Sequence, residues 1–167
     1  MDLRTLQKPL KEQYRADPTS SRITIRAKGA QTGAPIACSV DIGRAVHQAE
    51  AHKGVGGAGA GACSGDLLLG ALAACAQITC QMVAAAMSIP TERIEVTVEG
   101  DLDLRGFLGL APNVRKGYQQ IRLKLRIKAD LTDQELRDLA SLGPNFSPVF
   151  DSITNGVPIS LSTERIA

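Results

Sequence analysis

The longest apolar run in the chain, Asp66 to Met87, reads DLLLGALAACAQITCQMVAAAM and carries no charge after its first residue. Leucine, alanine and methionine are strong helix formers, Ser64 offers an N-cap, and Asp66 in the first turn suits the positive end of the helix dipole. Pro90 disfavours helical geometry in the residue before it and marks the end. Apolar residues occupy nearly every face, so the pattern predicts a central helix covered on all sides. At about 20 residues such a helix could span a bilayer. Gln77, Thr79 and Gln81 interrupt it, however, and neither Lys/Arg clusters nor a Trp/Tyr belt flank it, which favours a soluble domain with no membrane partner.

Upstream the rhythm is two. Arg22 to Lys28, RITIRAK, alternates as a strand does; GAQTGAP supplies turn chemistry and IACSVDI a second strand, which together predict a β-hairpin. Gly43 to Ala51 has no clear period, and Lys53 to Gly65 reads as a glycine-rich loop leading into the helix. Residues 1–21 are polar, with Leu3, Leu6 and Leu10 as the only apolar points: a frayed arm, or a tail that docks on a partner subunit, ahead of a domain over 22–167.

Downstream, Arg93 to Leu104 alternates Ile94, Val96 and Val98 against Glu95, Thr97 and Glu99, and Ile121 to Lys128 alternates aliphatic residues against Arg122, Lys124, Arg126 and Lys128. Both are half-buried strands by period, and their polar faces of opposite sign suit an antiparallel pair. Leu131 to Glu135 opens a helix with a capping-box pattern that runs to Leu142, with Gly143-Pro144 as its stop. A second helical piece, Pro148 to Asn155, ends at Gly156, and Val157 to Ser162 closes as a strand. Alternating strands argue against a parallel sheet, so the fold class is α+β with a mostly antiparallel sheet and a long central helix. One sheet covers only one side of that helix. The other side requires a second sheet or a second subunit, and a homodimer is the economical answer.

Composition adds three constraints. Aromatic residues make up 3% of the chain and tryptophan is absent, so the core is aliphatic. A net charge of +2 gives no case for a nucleic-acid partner, and no stacking aromatics interleave the basic row of Arg122 to Lys128, which reads as a solvated face. The first residues hold no apolar secretory run, which makes the cytoplasm the default compartment, and Cys38, Cys63, Cys75 and Cys80 lack paired spacing, so reduced thiols are expected.

Candidate chemistry is sparse. Gly54 to Gly59 matches GxGxxG, but no apolar parallel strand precedes it and no Walker lysine follows, so a flexible loop is expected and no nucleotide cofactor. His47 and His52 lack partners in ligand spacing, which leaves no metal site and no Ser-His-Asp argument; solvated loop positions are the reading. Cys75, inside an apolar helix, reads on composition alone as a small core residue, inert when buried.

Read with its neighbours, Cys75 changes. The phrase GACSGDLLLGALAAC, Gly61 to Cys75, resembles the signature of the OsmC/Ohr family, in which a glycine-rich loop leads through a (P)xxLLxxALxxC motif into a central helix. FSPVFDSITNGVPIS, Phe146 to Ser160, resembles that family's second motif, Cys-Pro-Val followed by a short helix and a closing strand. The resemblance runs from about Arg22 onward. It implies an intertwined homodimer, each subunit pairing a six-stranded sheet with two central helices, and a stress-response activity, the thiol-dependent reduction of organic hydroperoxides. Cys75 would be the peroxidatic thiolate that attacks the O–O bond and becomes a sulfenic acid, and a second cysteine would condense with it to a disulfide reduced by small dithiols or lipoylated proteins.

This chain departs from that pattern in three places. The second cysteine falls on Ser147. The motif's glutamate falls on Gly65, with Asp66 beside it as the acidic substitute, and the arginine falls near Ala30-Gln31, leaving Arg26 or Arg44 as replacements if the fold brings them in. Cys80, five positions along the same helix, is about 8 Å away and on a different face, and Cys63 lies roughly 17 Å off, so a resolving thiol would come from across the dimer or from an external reductant. Three readings follow: a thiol peroxidase at Cys75, a member binding an apolar ligand in a dimer-interface pocket near Cys75 and Ser147, or a structural stress protein with no site.

Overall fold

In the computed structural model, which describes residues 3–31, 37–43 and 45–165, the uncharged run forms the longest helix, α2 (Ser64–Met87). Its cap is Cys63 rather than the expected Ser64: the Asp66 carboxylate, three residues on, accepts the Cys63 backbone N–H at 2.9 Å and so satisfies one of the orphan donors at the helix start. Leu72, Ala76, Thr79, Cys80, Val83 and Ala84 form a buried stripe at helical spacing. Ala74, Ile78 and Met82 stay exposed. The helix is therefore covered along one stripe and not on all sides.

The chain divides into two compact units, Met1–Ala73 with Val96–Leu125, and Ala74–Glu95 with Arg126–Ala167, and α2 contributes residues to each. So do β4 (Thr91–Asp101) and β5 (Gln120–Ala129), which pair as a two-stranded sheet. The expected charge ladder is present: Arg122 meets Glu99 and Asp101, Arg126 meets Glu95, and Lys128 meets Glu92. These exposed pairs fix register more than they stabilise.

In the first unit, β1 (Lys28–Gln31), β2 (Ala37–Asp41) and β3 (Val46–Glu50) form an antiparallel sheet in that order, with Ala30 opposite Ser39 and Cys38 opposite Ala49. The hairpin is present but its first strand is displaced. Residues 22–27 lie outside any sheet, with Ile23 and Ile25 exposed, and pairing begins at Lys28, the last residue of the expected strand, and runs on to Gln31 inside the stretch read as a turn. Register is decided by where β2 can meet β1, and alternation alone does not specify it. The aperiodic Gly43–Ala51 stretch contains β3, which places His47 on a strand opposite Val40, not in a loop.

The glycine-rich segment is folded. His52 caps a 3-10 turn at Lys53–Val55, and Gly56 closes it at φ +94°, a left-handed geometry that glycine adopts without strain. Ala62 then bridges Ala49. Residues 3–16, read as an arm, form a helix, α1 (Leu3–Ala16), with Pro9 inside it. The Leu3, Leu6, Leu10 spacing and the glutamine, lysine and glutamate content carried that signal. A short helix, α3 (Leu104–Phe107), interrupts the connection between β4 and β5, with Asp103 as its N-cap.

In the second unit, the capping box at Thr132 and Glu135 starts α4 (Asp133–Asn145) as expected. The helix runs past Gly143-Pro144, however, and stops at Phe146. Pro144, the second-last residue of α4, forfeits one backbone hydrogen bond, and Gly143 is present because α4 closes on Cys80 there: a methyl group at 143 would overlap the Cys80 sulfur. Ser147 caps α5 (Pro148–Asn155). The expected closing strand is absent. Residues 157–165 have no regular secondary structure, and Val157, Ile159 and Leu161, at alternate positions, are 58%, 92% and 89% exposed. The segment alternates as a strand does and is paired with no strand among the described residues.

Candidate functional site

Cys75 lies near the middle of α2, half-buried, and its carbonyl accepts the Thr79 hydroxyl at 2.9 Å. Cys80 is fully buried, and desolvation pushes its thiol pKa up, which makes it a packing residue and not a nucleophile. Ser147, where the family pattern has its second cysteine, is also fully buried, and its role in the fold is explicit. Its Oγ accepts the Phe150 N–H at 3.2 Å, its carbonyl accepts the Asp151 N–H at 2.9 Å, and Pro148 follows as the first helical residue. Ser147→Ala is expected to cost about 1–2 kcal/mol through the lost cap, read as a lower urea midpoint at an unchanged m-value.

The Asp66 carboxylate is engaged at the helix start. The Cys63 backbone N–H and then the Cys63 thiol donate to it, with a smaller pull from the His52 ring, and these hold its pKa below the usual carboxylate range. A depressed folded pKa contributes stability above the unfolded value of about 4 and loses it as pH falls through the folded value. Asp66→Asn should therefore flatten the acid limb of the stability profile below about pH 4, as measured by thermal melts across pH. An unchanged limb would remove Asp66 from the capping role.

Gly65 has a specific reason to be glycine. A Cβ there would lie 2.6 Å from the Tyr118 hydroxyl and 3.5 Å from the Cys63 sulfur. Tyr118 is held from behind as well, since a Cβ on Gly100 would come within 2.6 Å of its Cδ1. The phenol, from the far end of the β4–β5 connection, thus lies in a slot cut by two glycines, where a side chain at 65 would enter. Burial and the neighbouring Cys63 and Asp66 raise the Tyr118 pKa, keeping it a neutral donor.

Tyr118 walls a cavity of about 450 Å³ in the first unit, within the range of small-ligand sites. Cys38, Cys63 and His52 share its wall with Leu68, Leu104 and Phe107; Cys75 and Ser147 do not. The expected pocket beside Cys75 and Ser147 is thus not this one. His52, read as a solvated loop residue, accepts the Gly54 N–H on Nδ1 at 3.0 Å, which leaves Nε2 as the protonated nitrogen. Arg26 is exposed in the segment 22–27 ahead of β1, Ala30 lies in β1, and Arg44 is outside the described residues. Among the described residues no cluster of His, Cys, Asp and Glu gathers to hold a metal.

Sequence reasoning missed Tyr118, Phe107 and Lys116. The signal was scarcity: of two tyrosines and three phenylalanines in the chain, one of each walls this cavity.

Comparison with known proteins gives a consistent result. The family profile described as OsmC-like protein matches residues 56–162. No curated protein matches the chain. Among solved structures, the OsmC-like protein from Mycoplasma pneumoniae superposes with a TM-score of 0.66 at 17% identity, covering 81% of this chain and 89% of that one. An organic hydroperoxide resistance protein OsmC from Legionella pneumophila gives 0.63 at 20% identity, covering 80% and 91%. An organic hydroperoxide resistance protein from Elizabethkingia anophelis, with crystallant-derived thiocyanate bound, gives 0.62 at 19%, covering 81% and 91%. At these identities the structural likeness establishes the fold.

Proposed function

Because the chain belongs to the OsmC-like protein family, we propose that it works as a homodimeric, thiol-dependent reductase of organic hydroperoxides with Cys75 as the attacking sulfur. The observation that carries this reading is the extent of the family match, which spans both Cys75 in α2 and the start of α5 at Ser147. Two of the similar structures are named for organic hydroperoxide resistance. The exposed stripe of Ala74, Ile78 and Met82, with the unpaired alternating segments at Ile23–Ile25 and Val157–Leu161, supports a second copy as the missing cover.

In the proposed reaction the Cys75 thiolate attacks one peroxide oxygen. The S–O bond forms as the O–O bond breaks, sulfur is oxidised to the sulfenic acid, and the leaving alkoxide takes a proton to become the alcohol. Ser147 cannot supply the disulfide of the family pattern, so two thiols of an external reductant return the sulfenic acid to the thiol, with release of water and a disulfide of the reductant. Asp66, at the helix start, is the acidic group proposed in place of the motif's glutamate.

The test is consumption of cumene hydroperoxide with dihydrolipoamide or dithiothreitol, comparing the wild type with Cys75→Ser. Loss of the protein-dependent rate in Cys75→Ser, with a sulfenic acid trapped on Cys75 in the wild type, supports the reading; equal rates in the two proteins end it. Light scattering on the purified protein tests the dimer. A second reading, a ligand-binding member without turnover, is favoured by the 450 Å³ cavity having its wall away from Cys75.

A further inference from the structure

The cavity in the first unit has a charge arrangement that selects its occupant. Its body is apolar: Leu68, Leu102 and Phe107 line it and remain 41%, 43% and 61% exposed, a cluster of large hydrophobic side chains facing an open cleft. The acids on its wall are already engaged. Glu50 accepts the Gly61 N–H at 2.6 Å, and Asp103 holds the backbone and guanidinium of Arg105. The cation on the wall is not, since among the described residues Lys116 has no carboxylate within ion-pair distance. Two neutral donors share the wall, the Tyr118 hydroxyl and His52 Nε2–H, the latter protonated because Nδ1 accepts from Gly54.

An apolar body with a free ammonium and two neutral donors, and with no unengaged acid, fits a molecule with an apolar tail and one carboxylate. We propose that this cavity is a binding site for small amphiphilic monocarboxylates, with Lys116, Tyr118 and His52 at the head and Leu68, Leu102 and Phe107 along the tail. The site is distinct from the sulfur of the proposed peroxidase reaction and stands without that reaction. Cys63 and Cys38 on its wall act as reporters: a bound molecule shields them.

The experiment follows iodoacetamide alkylation of each cysteine by peptide mass spectrometry in the full-length protein, with sodium octanoate as the probe and 1-octanol as its neutral counterpart of equal tail length. Octanoate should slow alkylation of Cys63 and Cys38 saturably and leave the rate at Cys75 unchanged, and it should half-saturate at a concentration at least tenfold below that of octanol. Lys116→Met, a substitution at an exposed position, should abolish that tenfold preference and leave octanol protection as it was. Equal half-saturation by the two probes in the wild type, or a preference that survives Lys116→Met, overturns the proposal. So does a Cys63 already shielded in the free protein with no octanoate dependence, which would assign the cleft to a second copy of the chain.

Discussion

Gly143→Ala is expected to lower the unfolding free energy by about 2 kcal/mol, seen as a fall in the urea midpoint. Local rules predict the opposite, because alanine in a helix interior gains about 1 kcal/mol over glycine. Packing reverses the sign. The added methyl overlaps the Cys80 sulfur and lies 3.2 Å from Cys80 Cα and 3.3 Å from its Cβ, so rotating the thiol relieves only the first contact. Cys80 is fully buried, so a rotated thiol still has to be placed inside the packed interior. Removing the sulfur should return part of the loss: Cys80→Ala in the Gly143→Ala background is expected to show a coupling of about 1 kcal/mol or more in a double-mutant cycle. A Gly143→Ala protein as stable as the wild type would mean that α4 does not close on α2 at this point.

Features carried by short-range pattern were readable in the sequence. The α2 run, the charge-matched β4–β5 pair and the Thr132–Glu135 capping box all depend on residues a few positions apart or on a sign rule across one hairpin. What was misread depends on partners. Ile23–Ile25 and Val157–Leu161 alternate as strands do, yet a strand exists only where another pairs with it, and among the described residues neither segment is paired. Gly143 before proline reads as a stop, whereas its reason is the approach of Cys80. His52 could not be read as a cap, because capping by histidine has no strong statistical signature and its partner is the Gly54 amide two residues on.

The candidate site divides in the same way. Cys75 was visible because the motif around it is continuous in sequence. The cavity was not, because Cys38, Cys63, Phe107 and Tyr118 come from β2, the α2 cap, α3 and the end of a long connection, and only the folded chain brings them to one wall. The departures from the family pattern also gain physical content once folded. Ser147 is a buried helix cap and not simply a missing thiol, and Gly65 is an accommodation of Tyr118.

That accommodation makes the strongest claim about how this chain differs from its family's pattern. Restoring the motif's acid as Gly65→Glu should look favourable on local grounds: glutamate is a better helix former than glycine, and a carboxylate in the first turn of α2 faces the positive end of the dipole, worth about 0.3–1 kcal/mol. Yet the new Cβ would lie 2.6 Å from the Tyr118 hydroxyl, and the ring, packed against Gly100, has to shift to admit it. The expected result is a loss of about 2 kcal/mol in chemical denaturation. In a Tyr118→Ala background the same Gly65→Glu change should be neutral or stabilising, since the slot is then empty and only the favourable helix terms remain. An equal penalty in both backgrounds would show that the backbone at 65 rejects any side chain. A penalty that vanishes without the phenol would establish that tyrosine and glutamate compete for one slot at the start of α2, and that a chain holding one must give up the other.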